Sequence, residues 1–505
     1  MKRYLLSHDL GTSGNKAALF SIEGALVNTF TSGYGTRYFN NNWAEQNPLD
    51  WWKGICDSTR GLLKGIDPRE IACVSFSGQM MGCLCVDEAG VPLKNHILYC
   101  DQRAVEEERR ILSRISARDF YRITGHRASA SYSVCKLMWV KNNEPEVYRK
   151  TFKMLHAKDY AIFRLTGRMV TDYTDACGTT LLDLDSRTWS EKLIDITGID
   201  GEKLPELVAS TEVVGEVTRE AASATGLKMG TPVVAGAGDG MCAGVGAGSV
   251  KPGLTYNYLG SSAWVATTTE KPIYDEEMRT FVWAHAVPGY VHPCGTMQTA
   301  GSSYSWLKNE IAYAESLKAE QEGTSPYELI DKEIETSPPG SRGIIFLPYL
   351  LGERTPRWNP DAQGAFIGIN LGHKRADIMR SVLEGVSFNL AIIVDIFRKQ
   401  VPIHEITVIG GGAKGKIWRE ILADIYEADI LKPNYLEEAT SIGAAIIGGV
   451  GAGVFSTFDV IDRFLKIESR QKPDSERVSR YRKMKPVFDD CYYALTGIYQ
   501  KLKGL

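Results

Sequence analysis

Two short segments that combine glycine with hydroxyl side chains recur in different halves of this 505-residue chain. LGTSG at 10–14 is repeated as LGSSA at 259–263, and apolar, strand-like residues flank each copy. A turn of this kind between two strands offers backbone N–H groups and hydroxyls to an anion such as phosphate. Either copy alone could be a chance match. The pair predicts a duplicated scaffold that contacts a polyphosphate from both sides.

Asp239 is the best candidate for a catalytic group. It follows the apolar run 232–235 and lies between Gly238 and Gly240, which leave its carboxylate room to face a ligand. Phosphoryl transfer needs a carboxylate only to orient the attacking hydroxyl and to accept its proton late. The alternative is an aspartate that caps a helix beginning near Met241. Both interpretations fit the local sequence.

Asp9 ends the strand-like run before the first copy. Mg²⁺ binds few carboxylates and keeps several waters, so an acid beside a phosphate-binding turn is well placed to hold it. Its alternative role is to cap the N–H groups of the turn. Tyr258 occupies the equivalent position in the second copy, so only the first copy is predicted to bind metal.

The glycine-rich segment 406–419 resembles two nucleotide-binding motifs and fits neither completely. It nearly matches a P-loop, but Ile417 stands where Ser or Thr must hold Mg²⁺. It also matches G-x-G-x-x-G, which would suggest a dinucleotide fold, yet it lies far from the start of the chain. A third interpretation requires less, because the glycines let the backbone approach a base or ribose at a helix N-terminus. Tight packing of the strand on the helix is the structural alternative.

Asp101 and Arg103 follow another strand-like run and could bind the hydroxyls of a polyol. A solvated, charged start to the next helix is the alternative. The eight histidines form no HxxxH or HxxE pattern, so none is assigned to a metal site or a catalytic triad.

Strand-like runs alternate with amphipathic helical stretches along the whole chain, which predicts an α/β protein. The turn at 249–253 marks a boundary, and the last residues read as helical and mixed in charge. The net charge of −3 provides no basic field for nucleic acid. No apolar run approaches the about 20 residues that cross a bilayer. The absence of a signal-like N-terminus and of CxxC pairs leads us to expect a cytoplasmic protein.

Two further segments resemble the signatures of the FGGY carbohydrate kinases. SVCKLMWV at 133–140 is similar to the first signature, and GAFIGI at 364–369 followed by DIMRSVLE at 377–384 is similar to the second. LPYLLGERTP at 347–356 and SGQM at 77–80 look most like the xylulokinase branch. The resemblance covers essentially the whole chain.

This resemblance implies two ribonuclease H-like domains of the actin/hexokinase type around an interdomain cleft. The expected divisions are an N-terminal domain at 1–248 on the sugar and magnesium side, a C-terminal domain at 249–450 on the ATP side, and a helical segment at 451–505. ATP and Mg²⁺ are the expected cofactors, and a small sugar or polyol is the expected partner. A homodimer is compatible with the sequence.

The resemblance also implies roles for individual residues. Asp239 becomes the general base, and it shares the metal with Asp9. The residues expected around the phosphates are Thr12, Ser13, Gly260 and Ser261. The residues expected along the adenosine are Gly411, Gly412 and Ala413. Those expected to bind the sugar, together with Asp239, are Met80, Met81 and Asp101.

The chain departs from the xylulokinase pattern at two sugar-binding positions. Met81 stands where these kinases usually have histidine, and Gly240 where they usually have asparagine. A site that loses two hydrogen-bonding partners can change its preferred substrate. D-xylulose is the leading expectation, with ribulose, erythritol, gluconate and glycerol as alternatives. An NAD-dependent dehydrogenase and a non-catalytic actin-like protein are the more distant ones.

Overall fold

The protein, described here from a computed structural model over residues 2–503, contains two seven-stranded sheets, one in each half of the chain. The strands of the first half are β1 (Tyr4–Leu10), β2 (Gly14–Ser21), β3 (Leu26–Gly33), β4 (Arg37–Phe39), β5 (Trp43–Gln46), β6 (Ile71–Gly78), β7 (Leu84–Val86), β8 (His96–Ile97), β9 (Lys153–Leu155), β10 (Val170–Asp172), β11 (Leu182–Asp183), β12 (Thr188–Trp189), β13 (Glu206–Val208), β14 (Val213–Glu216), β15 (Pro232–Val234) and β16 (Ala237–Gly238). Its helices are α1 (Pro48–Leu62), α2 (Val105–Leu112), α3 (Ala117–Thr124), α4 (Ser133–Asn143), α5 (Pro145–Lys150), α6 (Ala157–Thr166), α7 (Tyr173–Cys177), α8 (Glu191–Thr197), α9 (Arg219–Thr225) and α10 (Asp239–Gly246).

The second half repeats the alternation of strands and helices with longer helices. Its strands are β17 (Thr255–Leu259), β18 (Ala263–Thr267), β19 (Phe281–Ala284), β20 (Val291–Met297), β21 (Ile345–Leu347), β22 (Ala365–Ile367), β23 (Glu405–Ile409), β24 (Asp429–Pro433) and β25 (Ile467–Gln471). Its helices are α11 (Gly301–Trp306), α12 (Tyr313–Glu322), α13 (Pro326–Glu335), α14 (Arg375–Arg398), α15 (Lys416–Tyr426), α16 (Ala439–Gly451), α17 (Ile461–Phe464) and α18 (Ser475–Leu502).

The two sheets share one strand order. In the first, β1, β2 and β3 form an antiparallel meander, and β6 and β15 continue from β1 in parallel. In the second, β17, β18 and β20 form the meander, and β23 and β24 continue from β17 in parallel. The central strand β6 is buried at every position, as a strand covered on both faces must be. The expected α/β architecture of two related domains is confirmed.

This equivalence places the two glycine–hydroxyl turns at corresponding points. The first turn joins β1 to β2, and the second joins β17 to β18. Each of these hairpins begins on the strand at which the meander meets the parallel part of its sheet. The repeated letters therefore reflect a repeated structure.

The segment after residue 450, which the sequence predicts to be helical, also contains β25. This strand pairs antiparallel with β24 at the edge of the second sheet, the position that β14 holds beside β15 in the first sheet. Its residues, IESRQ, are mostly exposed, so the strand lacks the apolar run by which strands are recognised. The second sheet thus uses residues beyond 450.

Helices α10 and α16 are also equivalent, and they pack against each other between the two sheets. A Cβ on Gly246 would lie 1.9 Å from the Ala439 carbonyl oxygen, and a Cβ on Gly443 would lie 1.9 Å from that of Cys242. Only glycine permits so close a backbone approach. The two halves therefore meet along a pair of small-residue helices, and the first residue of α10 is Asp239.

Candidate active site

A cleft of about 890 Å³ lies between the two halves, and residues of both halves line it. The structure brings six of the sequence-predicted residues into its lining: Asp9, Asp239, Gly260, Ser261, Gly411 and Gly412. Four of these lie in turns of the second sheet: Gly260 and Ser261 follow β17, and Gly411 and Gly412 follow β23. The duplicated scaffold thus presents an acidic end from the first half and a glycine-rich wall from the second.

Asp9 is held in a fixed orientation at the acidic end. Its Oδ1 accepts a hydrogen bond of 2.7 Å from the Ser77 hydroxyl on β6, and its Oδ2 accepts one of 2.7 Å from the Thr440 hydroxyl on α16. Thr440 belongs to the second half of the chain, so Asp9 also links the two halves. Asp9 lines the cleft while it makes these two hydrogen bonds.

Asp239 begins α10, and its Oδ1 accepts the Gly240 N–H at 2.7 Å. Burial, together with the negative charge of Asp9, raises the pKa of its carboxyl to about 7. The hydrogen bond to Gly240 opposes this rise in pKa without cancelling it. A carboxyl with this pKa can take a proton from a substrate hydroxyl near neutral pH.

The pair of acids fits a magnesium ion. Asp9 and Asp239 line one cleft and repel each other electrostatically, so a divalent cation between them would be stabilised. Hard oxygen ligands of this kind are those that Mg²⁺ prefers, with waters completing its shell. A bound cation would in turn lower the pKa of Asp239.

The two phosphate-binding candidates differ in how they face the cleft. Gly260 and Ser261 line it, and the start of α11 supports them, since the Gly301 N–H donates to the Gly260 carbonyl at 2.8 Å. In the first turn, Gly11 lines the cleft, whereas Thr12 and Ser13 lie outside its lining. The Thr12 carbonyl accepts the Gln46 side-chain amide at 2.6 Å.

The glycines after β23 also divide into cleft-lining and buried residues. Gly410 has a φ of +88° and lies against Leu259, which brings this loop beside the second turn. A Cβ on Gly411 would meet no atom within 4 Å, so the backbone there borders open space. Ala413, by contrast, is fully buried behind the loop, and its carbonyl accepts from Arg419.

The three predicted sugar-binding residues lie outside the lining of this cleft. Met80 is buried against Gly238, where a Cβ would come within 2.3 Å of the methionine sulfur. Met81 has a φ of +64°, and its carbonyl accepts the Lys136 ammonium at 3.0 Å. Met80 therefore packs next to the loop that carries Asp239, whereas Met81 lies against Gly178.

Asp101 is fully buried, and its carboxylate already accepts four hydrogen bonds. Three come from Arg103 at 2.8–2.9 Å and one from the Ala44 N–H at 2.6 Å. The guanidinium of Arg103 also stacks on Trp43, with its carbon 3.9 Å from the ring centroid. In this arrangement Asp101 orders the surrounding loops, and its oxygens are occupied by protein donors.

Sequence reasoning missed several residues that the structure places in or beside the cleft. Lys16 pairs with Asp9 across the β1–β2 hairpin, and its ammonium contacts Glu438 at 3.5 Å from the other half of the chain. The hairpin register would have indicated it, because directly paired residues share a face. No local sequence pattern indicated Thr440, because it contacts Asp9 only through the packing of α16.

A buried cluster of charged residues is connected to the loop that carries Asp239. The Lys158 ammonium contacts three fully buried carboxylates: Asp159 at 3.0 Å, Asp172 at 3.0 Å and Asp175 at 3.3 Å. Asp172 accepts from the Thr174 hydroxyl at 2.7 Å, and that hydroxyl accepts the Gly238 N–H at 2.8 Å. The cluster is thus connected by hydrogen bonds to the residue before Asp239.

His156, Asp159 and Asp175 lie close enough to hold a metal, with candidate ligand atoms within 4.8 Å of one another. Both nitrogens of His156 have partners, the Ser133 hydroxyl at 3.0 Å and the Asp159 carboxylate at 3.3 Å. The Lys158 ammonium already compensates the acids, so we assign no metal to this cluster.

None of the helices in the described part of the chain combines the length and the apolar character needed to cross a membrane.

Comparison with known proteins shows the family to which the chain is similar. Residues 4–246 match the N-terminal domain of the FGGY family of carbohydrate kinases, and residues 255–452 match its C-terminal domain. A gluconokinase of Bacillus licheniformis is 31% identical over 508 residues, covering 99% of this chain and 98% of the relative. A xylulose kinase of Bacillus subtilis (strain 168) is 30% identical over 506 residues, covering 99% of both.

A solved structure resembles the whole molecule closely. The ligand-bound xylulose kinase from Lactobacillus acidophilus has a TM-score of 0.92 and 28% sequence identity, covering 99% of both chains. The family match spans both halves of the chain, including the turns, the acids and the glycine-rich loop described above. The chain therefore belongs to the FGGY family of carbohydrate kinases.

Proposed function

We propose that this carbohydrate kinase transfers the γ-phosphoryl group of ATP to a terminal hydroxyl of a small ketose or polyol. The observation that carries the proposal is the cleft itself, in which Asp239 and Asp9 face the glycine-rich walls of the second half. Phosphoryl transfer depends mainly on positioning and charge stabilisation, and this arrangement can supply both.

Asp239 acts as the general base in this proposal. Its carboxylate orients the attacking hydroxyl and receives the hydroxyl proton as the O–P bond forms and the bond to the ADP oxygen breaks. The turn at Gly260 and Ser261 contacts the phosphates through the N–H and hydroxyl of Ser261, since the Gly260 N–H already donates to the Ser262 carbonyl at 3.0 Å. Gly411 and Gly412 lie along the adenosine. Asp9 and Asp239 would hold Mg²⁺, which neutralises phosphate charge when it is bound.

D-xylulose is the substrate that we propose first. Met80 packs against Gly238, and Met81 and Gly240 supply no side-chain hydrogen bonds to hydroxyls. A Cβ on Gly240 would meet no atom within 4 Å, so there is unfilled space beside the catalytic aspartate. Gluconate is the second candidate, because the gluconokinase similarity is as extensive as that to the xylulose kinases and the space at Gly240 suits a longer substrate.

A coupled ADP-release assay with D-xylulose, ribulose, erythritol, glycerol and gluconate tests the substrate. We expect one sugar or polyol to exceed the others in kcat/KM by at least about tenfold, since polar sites discriminate strongly among hydroxyl patterns. Failure to phosphorylate any small sugar or polyol would refute the proposal.

Asp239→Asn tests the base, with the exposed Asp50→Asn as a matched control. Loss of general-base catalysis should lower kcat by about 10²- to 10⁴-fold, while nucleotide binding measured without Mg²⁺ is retained. If Asp239→Asn keeps more than a tenth of wild-type activity, Asp239 is not the base.

A further inference from the structure

The end of the cleft away from the two catalytic acids is lined by aromatic side chains and one half-buried acid. The aromatic residues are Tyr304 on α11, Tyr327 on α13 and Trp418 on α15. The acid is Asp331 on α13. None of these residues has a role in the mechanism proposed above.

Asp331 is held rigidly by its neighbours. The Tyr304 hydroxyl donates to its Oδ1 at 2.5 Å. The Tyr304 ring is itself fixed, with ring centroids 4.9 Å from Tyr327 and 5.5 Å from Trp418. A carboxylate fixed through one oxygen presents the other in a defined direction.

That second oxygen, Oδ2, is directed past the start of α15. It lies 3.1 Å from the place where a Cβ on Gly415 would be, so the absence of a side chain there leaves Oδ2 accessible. Within residues 2–503, no protein hydrogen bond to Oδ2 is formed, whereas Oδ1 has its partner in Tyr304. Asp331 thus offers one free acceptor to the cleft.

Asp331 lies at the end of the cleft that the base of a bound nucleotide would reach. Helix α11 begins at Gly301, whose N–H donates to the Gly260 carbonyl of the phosphate-binding turn. Tyr304 lies three residues further along, a rise of about 5 Å. A nucleotide whose phosphates contact Gly260 would therefore reach the aromatic end with its base, where aromatic rings provide apolar contact area.

We propose that Asp331 determines the base specificity of the nucleotide donor, with Oδ2 accepting a hydrogen bond from the exocyclic amino group of adenine. The inference rests on the proposed function, because it assumes that the cleft binds the donor nucleotide. Burial raises the pKa of Asp331 to about 6, so the carboxylate is mainly ionised at pH 7.5 and acts only as an acceptor.

This arrangement discriminates between purines by their substituent at position 6. Adenine presents an amino donor there, whereas hypoxanthine presents a carbonyl oxygen, which an ionised carboxylate repels. A site that is built to hydrogen-bond one group rejects the analogue that lacks it. An asparagine at 331 could keep the bond to Tyr304 while presenting an amide donor, which suits a carbonyl.

The kinetic test compares ATP with ITP at pH 7.5 for the wild type and for Asp331→Asn. We expect the wild type to prefer ATP by at least about tenfold in kcat/KM, the discrimination of one charged hydrogen bond. Asp331→Asn should reduce this ratio to about one or below. Glu335→Gln, which removes an exposed charge one turn away on the same helix, should leave the ratio unchanged.

If Asp331 had only a structural role, Asp331→Asn would lower the activity with ATP and the activity with ITP alike and would preserve their ratio. An unchanged ratio in Asp331→Asn, or a wild type that uses ATP and ITP equally, would overturn the proposal. The ratio is informative whichever sugar proves to be the substrate.

Equilibrium binding separates this inference from the proposed function and does not depend on the variant folding. Wild-type protein without sugar is titrated with ADP and with N6,N6-dimethyl-ADP, which lacks amino protons. We expect at least about tenfold weaker binding of the dimethyl analogue. Equal affinities would refute the role of Asp331 even if sugar phosphorylation were confirmed, and the binding difference would stand even if no sugar were phosphorylated.

Discussion

At the scale of single residues, the dominant feature is the proximity of two uncompensated acids. Asp9 is fixed by hydroxyls from both halves of the chain, and Asp239 is partly withdrawn from water at the start of α10. Their repulsion and the burial of Asp239 raise its pKa to about 7. A site that is arranged to attract a cation in this way stores unfavourable electrostatic energy when the cation is absent.

This stored energy predicts a pH-dependent gain in stability for Asp239→Asn in metal-free buffer. The folded-state pKa of Asp239, about 7, lies above its unfolded value near 3.9. Ionising the group therefore costs folding free energy above pH 7, and this cost disappears as the pH falls toward the unfolded pKa. The variant should melt higher than the wild type by about 2 °C or more at pH 8.5 and by less at pH 5.

Differential scanning calorimetry at the two pH values, with Asp50→Asn as the control, measures this effect. A melting difference that is absent at pH 8.5, or that is equal at both pH values, would contradict the electrostatic account.

At the scale of elements, the crossing of α10 and α16 connects the acidic end of the cleft to the second sheet. Gly246 and Gly443 allow the two backbones to approach so closely that side chains are excluded at both points. The same crossing brings Thr440 to Asp9. The geometry of the site thus depends on a helix–helix contact whose residues do no chemistry.

Gly443→Ala should therefore destabilise the protein. Its Cβ would lie 1.9 Å from the Cys242 carbonyl oxygen, so the helices must separate. Overpacking of this kind costs about 1–3 kcal/mol. Gly497→Ala in α18 is the matched control, because its Cβ would meet no atom within 4 Å and should add about 0.5–1 kcal/mol through helix propensity.

Urea unfolding of both variants distinguishes the two effects. A Gly443→Ala variant with the wild-type midpoint would show that the helices tolerate separation and would remove the argument for close packing.

At the scale of the whole molecule, each half of the chain lines one side of the same cleft. The first half contributes Asp9 and Asp239, and the second contributes the turn at Gly260 and Ser261, the glycine-rich loop after β23 and the aromatic end. Lys16 and Glu438 join the two sides at the edge of this cleft. A ligand in the cleft would therefore contact both halves at once.

Binding of ADP with Mg²⁺ should accordingly stabilise the entire molecule against heat. A ligand at about 100 times its Kd adds about 2.7 kcal/mol to the free energy of unfolding when it binds only the folded state. Asp50→Asn should show a comparable shift, because Asp50 is exposed and lies outside the cleft lining. Thermal shift measurements over a range of ADP concentrations test this, and a melting temperature independent of ADP would contradict nucleotide binding in the cleft.

Local sequence patterns were enough to predict the alternation of strands and helices, the duplication marked by LGTSG and LGSSA, and Asp239 and Asp9 as candidate site residues. These depend on local patterns, since apolar periodicity, glycine and turn chemistry act over a few residues. The family signatures added the roles of Gly260, Ser261, Gly411 and Gly412, which stay predictions although the structure places all four in the cleft.

Which of these residues come into contact depends on how the chain folds in three dimensions. Thr440 reaches Asp9 across 431 positions of sequence, and Asp331 meets Tyr304 through the packing of α13 on α11. It also showed that the carboxylate of Asp101 is saturated by protein donors and that β25 completes the second sheet. Such contacts arise because long-range packing brings distant segments together, and burial then fixes partners and pKa values that no local pattern encodes.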